Sequence, residues 1–191
     1  MLRLLYWLGP WVNQERSPHN IEHSTLRTKG GNIEIYRHPK RQNGILFVLP
    51  GLHPEGPEDP RMIRFCRVLA DAGFIVGTPV LSSMKEVLMK EELLQQSKDS
   101  FLCFAEHYPE KKIGVFSISA ASIAAFALAS DPIASKRMIA IHSFGGFSDW
   151  AGALSFAMTG RINERESLTV DPLGLPVIFM NLAQSFPDFL D

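Results

Sequence analysis

The shortages of this chain exclude more than its contents declare. Only 2 cysteines occur in 191 residues. Cys66 and Cys103 fall within helical patterns and form no metal or redox spacing. They read as buried free thiols in a reducing, cytoplasmic compartment, with a disulfide as the alternative. The formal net charge is −1, and no basic run appears. That removes the electrostatic argument for nucleic acid or for an anionic membrane. Long apolar runs are missing too. Met1–Val12 is apolar but stops after about a dozen residues, short of the ~20 a spanning helix needs. With one positive charge and no small-x-small cleavage site, it does not read as a signal peptide. It reads as a segment packed on the domain surface, with peripheral membrane contact through Tyr6, Trp7 and Trp11 as the alternative. No G-x-G-x-x-G and no phosphate-binding loop follows any apolar run, which leaves nucleotide binding without support. No cluster of His, Asp, Glu or Cys has metal-ligand spacing, so neither metal nor cofactor is expected.

What is present is an ordinary globular composition, 46% hydrophobic and 20% charged, with chain enough for one domain and a real core. The expected organisation is a single domain over 1–191, with an N-terminal extension over about 1–30 and a cap-like helical segment over about 147–191. Asn32–Arg37 alternates polar and apolar, the mark of a half-exposed strand, and Ser24–Thr28 is its expected partner. Ile45–Leu49, Phe74–Pro79, Ile113–Ile118 and Met138–Phe144 are continuous apolar runs of buried-strand type. Asp59 and Pro60 form a helix start, Met62, Phe65, Cys66 and Leu69 follow at helical spacing, and Gly73 closes the helix. Ser83 and Glu86 form a capping box for helical material reaching about His107. Apolar strands alternating with helices imply a mostly parallel sheet covered on both faces, an α/β fold.

The most informative segment is Ile113–Ser122, where an apolar strand ends at Ser119 and a small-residue helix begins at once. Ser117 and Ala121 flank Ser119 two residues away on either side. This is the pattern of a nucleophile elbow, G-x-S-x-G, with both glycines replaced by the next smallest residues. The turn is so sharp that its flanking residues nearly touch, and it lifts the serine oxygen clear of the sheet. A strand running into an Ala-rich core helix that happens to carry serines would read the same way. A second constellation, Pro50-Gly51-Leu52-His53-Pro54-Glu55-Gly56, follows the strand at 45–49. A loop there can bring a backbone N–H to an oxyanion. A Pro/Gly-rich strand-to-helix loop of any α/β protein is the plainer account of it.

With both features in this order, the chain resembles the α/β-hydrolase superfamily, in particular its uncharacterised serine-hydrolase and esterase-like members. The resemblance rests on the elbow, on the Pro50–Gly56 loop leading into Asp59-Pro60-Arg61, and on Gly145-Gly146-Phe147-Ser148-Asp149 after the sixth strand. It covers roughly residues 30–182. It implies Ser119 as nucleophile, the N–H groups of Leu52 and Ala120 as oxyanion donors, and an ester-like small molecule as substrate. It also implies an acid and a histidine after the elbow, in that order. No histidine follows His142. His142 reads as a satisfied core residue inside an apolar strand; His19, His23, His38 and His107 read as solvated. His53 lies on the oxyanion loop, placed to touch substrate rather than to act as base. Asp149 is a candidate acid after the sixth strand, but it reads first as a turn residue or helix cap. Leu175–Asn181 has helical spacing; only as a strand would it make Asp188 the acid.

Two functions are therefore expected. One is a carboxylesterase-type serine hydrolase fold lacking its last strands, truncated and catalytically incomplete as given. The other is a non-catalytic binding or interaction protein of the same fold, able to self-associate through an exposed sheet edge.

Overall fold

The computed structural model describes residues 2–9, 12, 13, 15–163, 165–170, 172 and 174–183. Trp11, Phe186 and Asp188 lie outside the described residues. One six-stranded sheet organises the chain, in the order β1-β2-β4-β3-β5-β6. Its strands are β1 (Glu22–Thr28), β2 (Gly31–Arg37), β3 (Gly44–Leu49), β4 (Phe74–Pro79), β5 (Ile113–Ile118) and β6 (Met138–Phe144). The first two form an antiparallel hairpin and β2 joins β4 antiparallel. The β4-β3-β5-β6 pairings are all parallel. The expected mostly parallel α/β sheet with an antiparallel margin is what the chain forms.

Side-chain alternation on these strands builds two cores, one per face. Phe47, Leu49, Ile113 and Val115 point to a face packed by α4 (Glu92–His107) and α5 (Ser122–Ser130). Here Gly77 of β4 has a structural reason. A Cβ on it would lie 2.5 Å from a ring carbon of Phe104, so only glycine lets that ring reach the sheet. On the opposite face, Val48, Val76 and Tyr36 meet Met62, Cys66 and Leu69 of α2 (Pro60–Asp71). Burial pushes the Cys66 thiol well above its ordinary range, which makes it inert. Cys103 is free and half-buried.

Asp59 caps α2 as expected, its Oδ1 accepting the Arg61 backbone N–H at 2.7 Å. At the other end of α2, buried Asp71 accepts from Arg3, Trp7 and Arg41. This pins α1 (Leu2–Leu8) to the surface of the fold. Among the described residues no helix is long and apolar enough to cross a membrane.

Three expectations need correction. The capping box at Ser83 and Glu86 does not form. Ser83 sits inside a four-residue helix, α3 (Ser82–Lys85), with its hydroxyl buried and unpaired. Val87, in left-handed backbone at φ 60°, then separates α3 from α4. Second, His38 is buried rather than solvated, its Nδ1 accepting the Lys40 N–H at 3.0 Å. Burial, and then neighbouring Arg41, lower its pKa.

Third, His142 is exposed and not a core residue. It belongs to β6, which among the described residues pairs only with β5, and it stacks on Phe116 with ring centroids 4.8 Å apart. An apolar strand at the margin of a sheet is covered only where neighbours exist. Ile139 and Phe144 of the same strand are accordingly 73% and 65% exposed. Beyond β6 come α6 (Trp150–Thr159) and α7 (Gly174–Ala183), the latter confirming helix over 175–181. Asn181 ties α7 back to the strained turn, accepting the Met89 N–H and donating to the Val87 carbonyl.

Candidate active site

Ser119 stands where β5 gives way to a 3₁₀ turn, Ser119–Ala121, that runs on into α5. Its φ is +53°, left-handed backbone that side-chain-bearing residues rarely adopt. The side chain is exposed, while Ser117 and Ala121 on either side are fully buried. That contrast is the steric logic of the elbow. The two flanking residues need to be small because they enter the core, and the serine between them is pushed outward. Ala120 occupies the first turn, where backbone N–H groups have no acceptor within the helix.

The loop after β3 lies directly on this turn. A Cβ placed on Gly51 would come 3.4 Å from the Ile118 carbonyl oxygen and 3.7 Å from the Ser119 Cβ. These are contact distances, not a clash, so space alone does not force glycine there. Within the loop, the His53 N–H donates to the Met84 carbonyl at 3.2 Å and the Gly56 N–H to the His53 carbonyl at 2.9 Å. The Leu52 N–H has no acceptor among the described residues.

The loop, α2 and the elbow enclose a pocket of about 330 Å³. Leu52, Met62, Phe65 and Ile118 form its apolar wall; Ser119, His53, Asp59 and Arg61 are its polar groups. A larger cavity of about 720 Å³ lies between α1 and α2, on the far side of Pro60 and Arg61. Its Arg64 and Arg67 are spent on backbone carbonyls of the 7–18 stretch, and its one hydroxyl, on Ser17, has no histidine beside it in the lining.

Sequence reasoning saw Asp59 only as a cap and missed what Arg61 does. The Arg61 guanidinium forks onto the Asp59 carboxylate, Nε to Oδ1 at 3.0 Å and Nη2 to Oδ2 at 2.6 Å. This fork holds the Asp59 carboxyl down to about 2, below the usual carboxylate range. His53 Nε2 lies 3.2 Å from Asp59 Oδ2 and 3.1 Å from Arg61 Nη2, and its Nδ1 accepts the Glu55 N–H at 3.3 Å. An i, i+2 Asp-x-Arg pair at a helix start was the available signal.

The same cluster corrects one expectation. His53, Glu55 and Asp59 do bring one ligand atom each within 4.8 Å of one another. They make a poor cation site, because Asp59 is already neutralised by a guanidinium that stands beside the imidazole.

Asp149 caps α6, its Oδ1 accepting the Gly152 N–H at 3.0 Å, and it does not line the Ser119 pocket. The turn before it is clamped to α5. Ser122 Oγ donates to the Phe147 carbonyl at 2.8 Å and accepts the Phe147 N–H at 3.0 Å.

No family model matches the sequence. No curated protein matches it either. Solved structures do. A hormone-sensitive lipase from a metagenome library is similar over 89% of this chain and 60% of its own, with a TM-score of 0.58 at 13% identity. A dienelactone hydrolase-like promiscuous phosphotriesterase from metagenomic libraries covers 87% of this chain and 78% of its own, with a TM-score of 0.53 at 13% identity. An acylaminoacyl peptidase bound to Z-Gly-Gly-Phe-chloromethyl ketone gives a TM-score of 0.53 at 15% identity over 81% of this chain. The chain spans 28% of that peptidase's length. Together with the strand order and the elbow geometry, these define the chain as having the α/β-hydrolase fold.

Proposed function

We propose that this chain is a serine hydrolase of carboxylesterase type, acting on an ester or thioester. One observation carries the reading: an exposed serine in left-handed backbone at the end of a buried strand, opening on a pocket. Such strain persists where the surroundings over-determine it, and it clusters at functional positions. In the reaction, Ser119 Oγ attacks the carbonyl carbon while its proton passes to a base. The Leu52 and Ala120 N–H groups take the negative oxygen. The tetrahedral adduct expels the alcohol or thiol, which leaves with a proton, and water then releases the acid from the acyl-enzyme.

His53 is the histidine of this pocket, and both its ring nitrogens are engaged with the loop and the Asp59–Arg61 pair. The base is therefore the weak member of the machinery. A serine without a positioned base retains only the rate supplied by the oxyanion hole and binding. Hydrolysis of a short p-nitrophenyl ester by the 191-residue chain is expected to be slow and to vanish in Ser119→Ala. Activity unchanged by Ser119→Ala would remove the reading.

The open margin of β6, with Ile139 and Phe144 exposed, supports the second reading, association of copies through the sheet edge. Sedimentation velocity on the native chain and Ile139→Lys tests it: dispersal by the lysine supports the edge, and a monomer in both excludes it.

A further inference from the structure

Arg61 is built for more than capping α2. The cap itself needs only the Asp59 carboxylate and the Arg61 backbone N–H, which meet at 2.7 Å. The guanidinium fork adds little to the helix, because the Arg61 side chain is 80% exposed and exposed ion pairs contribute little. What the fork does accomplish is orientation. A long, solvent-facing side chain is fixed in one pose by Asp59, whose own side chain is 8% exposed. Nε and Nη2 are both spent on Asp59, at 3.0 and 2.6 Å, and His53 Nε2 lies 3.1 Å from Nη2. Arginine carries further donors on Nη1, and these have no partner among the described residues. Arg61 borders both the pocket that contains Ser119 and the larger cavity beside α1.

Resting on the hydrolase reading of Ser119, we propose that Arg61 is a specificity-determining residue. It selects an ester that carries a free carboxylate, such as a half-ester of a dicarboxylic acid. The acyl chain would lie along Leu52, Met62 and Phe65, with the ester carbonyl at Ser119 and the carboxylate on Nη1 of Arg61. Asp59 is then a positioning residue, holding the donor edge toward the ligand. Charge sets the ligand class. Asp59 and the guanidinium carry opposite unit charges, and Glu55 adds a second carboxylate nearby. Both carboxylates repel a dianionic phosphate about twice as strongly as a single carboxylate, which meets the same charge-assisted donor at the smaller electrostatic cost. The apolar wall excludes a wholly polar diacid for the same reason that it accepts an alkyl chain.

The test is binding, which needs no turnover. In the Ser119→Ala chain, monomethyl esters of succinate, glutarate and adipate are titrated by ligand-observed NMR, with the corresponding dimethyl esters as uncharged comparators. At least one half-ester is expected to bind ten-fold or more tighter than its diester. Arg61→Gln is expected to abolish that preference, Arg61→Lys to restore part of it, and Asp59→Asn to weaken it while keeping the cap. A diester bound as tightly as the half-ester, or a preference that survives Arg61→Gln, overturns the proposal. Failure of the hydrolase reading shows elsewhere, in ester hydrolysis indifferent to Ser119→Ala, and is separable from loss of carboxylate preference.

Discussion

Left-handed backbone costs a residue with a side chain about 1–2 kcal/mol, and Ser119 holds it at φ 53°. Glycine at 119 would relieve that strain and give back part of the gain as unfolded-state entropy. Ser119→Gly is therefore expected to raise stability by about 0.5–1 kcal/mol in urea unfolding, while losing any reaction at the site. Ser117 offers a second residue-scale test. Its hydroxyl is buried without a partner, in a position that demands a small side chain. Ser117→Ala keeps the size and removes an unsatisfied donor, so it is expected to stabilise the fold by about 1 kcal/mol. Ser119 was legible in the sequence because small residues on both sides of a serine leave a local signature. The environments of His38 and His142 were not. Which strand lies at the margin of a sheet, and so which side chains stay wet, is set by long-range pairing that local pattern does not encode.

At the scale of elements, α2 and its cap tie stability to the site. Asp59→Ala removes both the cap and the Arg61 fork and is expected to cost about 1–2 kcal/mol. Asp59 is also the group to watch in acid. Its carboxyl is held at about 2 by the Arg61 side chain, against an ordinary value of 3.8. A lowered carboxylate contributes stability in full above its unfolded value and loses it as pH falls through the folded one. The native chain is thus expected to lose stability between about pH 4 and pH 2, and Asp59→Asn to lose less over that window. An equal loss in both, followed by urea midpoints, would count against the Asp59–Arg61 fork as its source. At α7, Asn181 is the docking residue. Asn181→Ala frees the Val87 carbonyl and Met89 N–H, and amide exchange over 174–183 is expected to speed up. Helix α2 was legible from Asp59, Pro60 and Gly73, whose chemistry is local. The break between α3 and α4 was not, because Val87 carries no residue-type signal for left-handed backbone and is held there by its surroundings.

For the whole molecule, element order was enough to name the sheet type. Parallel strands need covered faces, and the continuous apolar runs of β3, β4 and β5 wrote that requirement into the sequence. The site was only half legible. Its serine turn and the Pro50–Gly56 loop are each local motifs, whereas the Asp59–Arg61–His53 cluster arises because the loop folds back over the start of α2. The central claim is that this architecture presents Ser119 as a nucleophile, and it can be measured without knowing the substrate. A fluorophosphonate probe incubated with the native chain, followed by peptide mass spectrometry, reads the nucleophile directly. The expected result is an adduct on the peptide that contains Ser119, absent in Ser119→Ala and slowed when the Leu52–His53 loop is altered by Leu52→Pro, which removes one of the two N–H groups proposed to take the oxyanion. An unlabelled chain, or labelling at another residue that persists in Ser119→Ala, would contradict it.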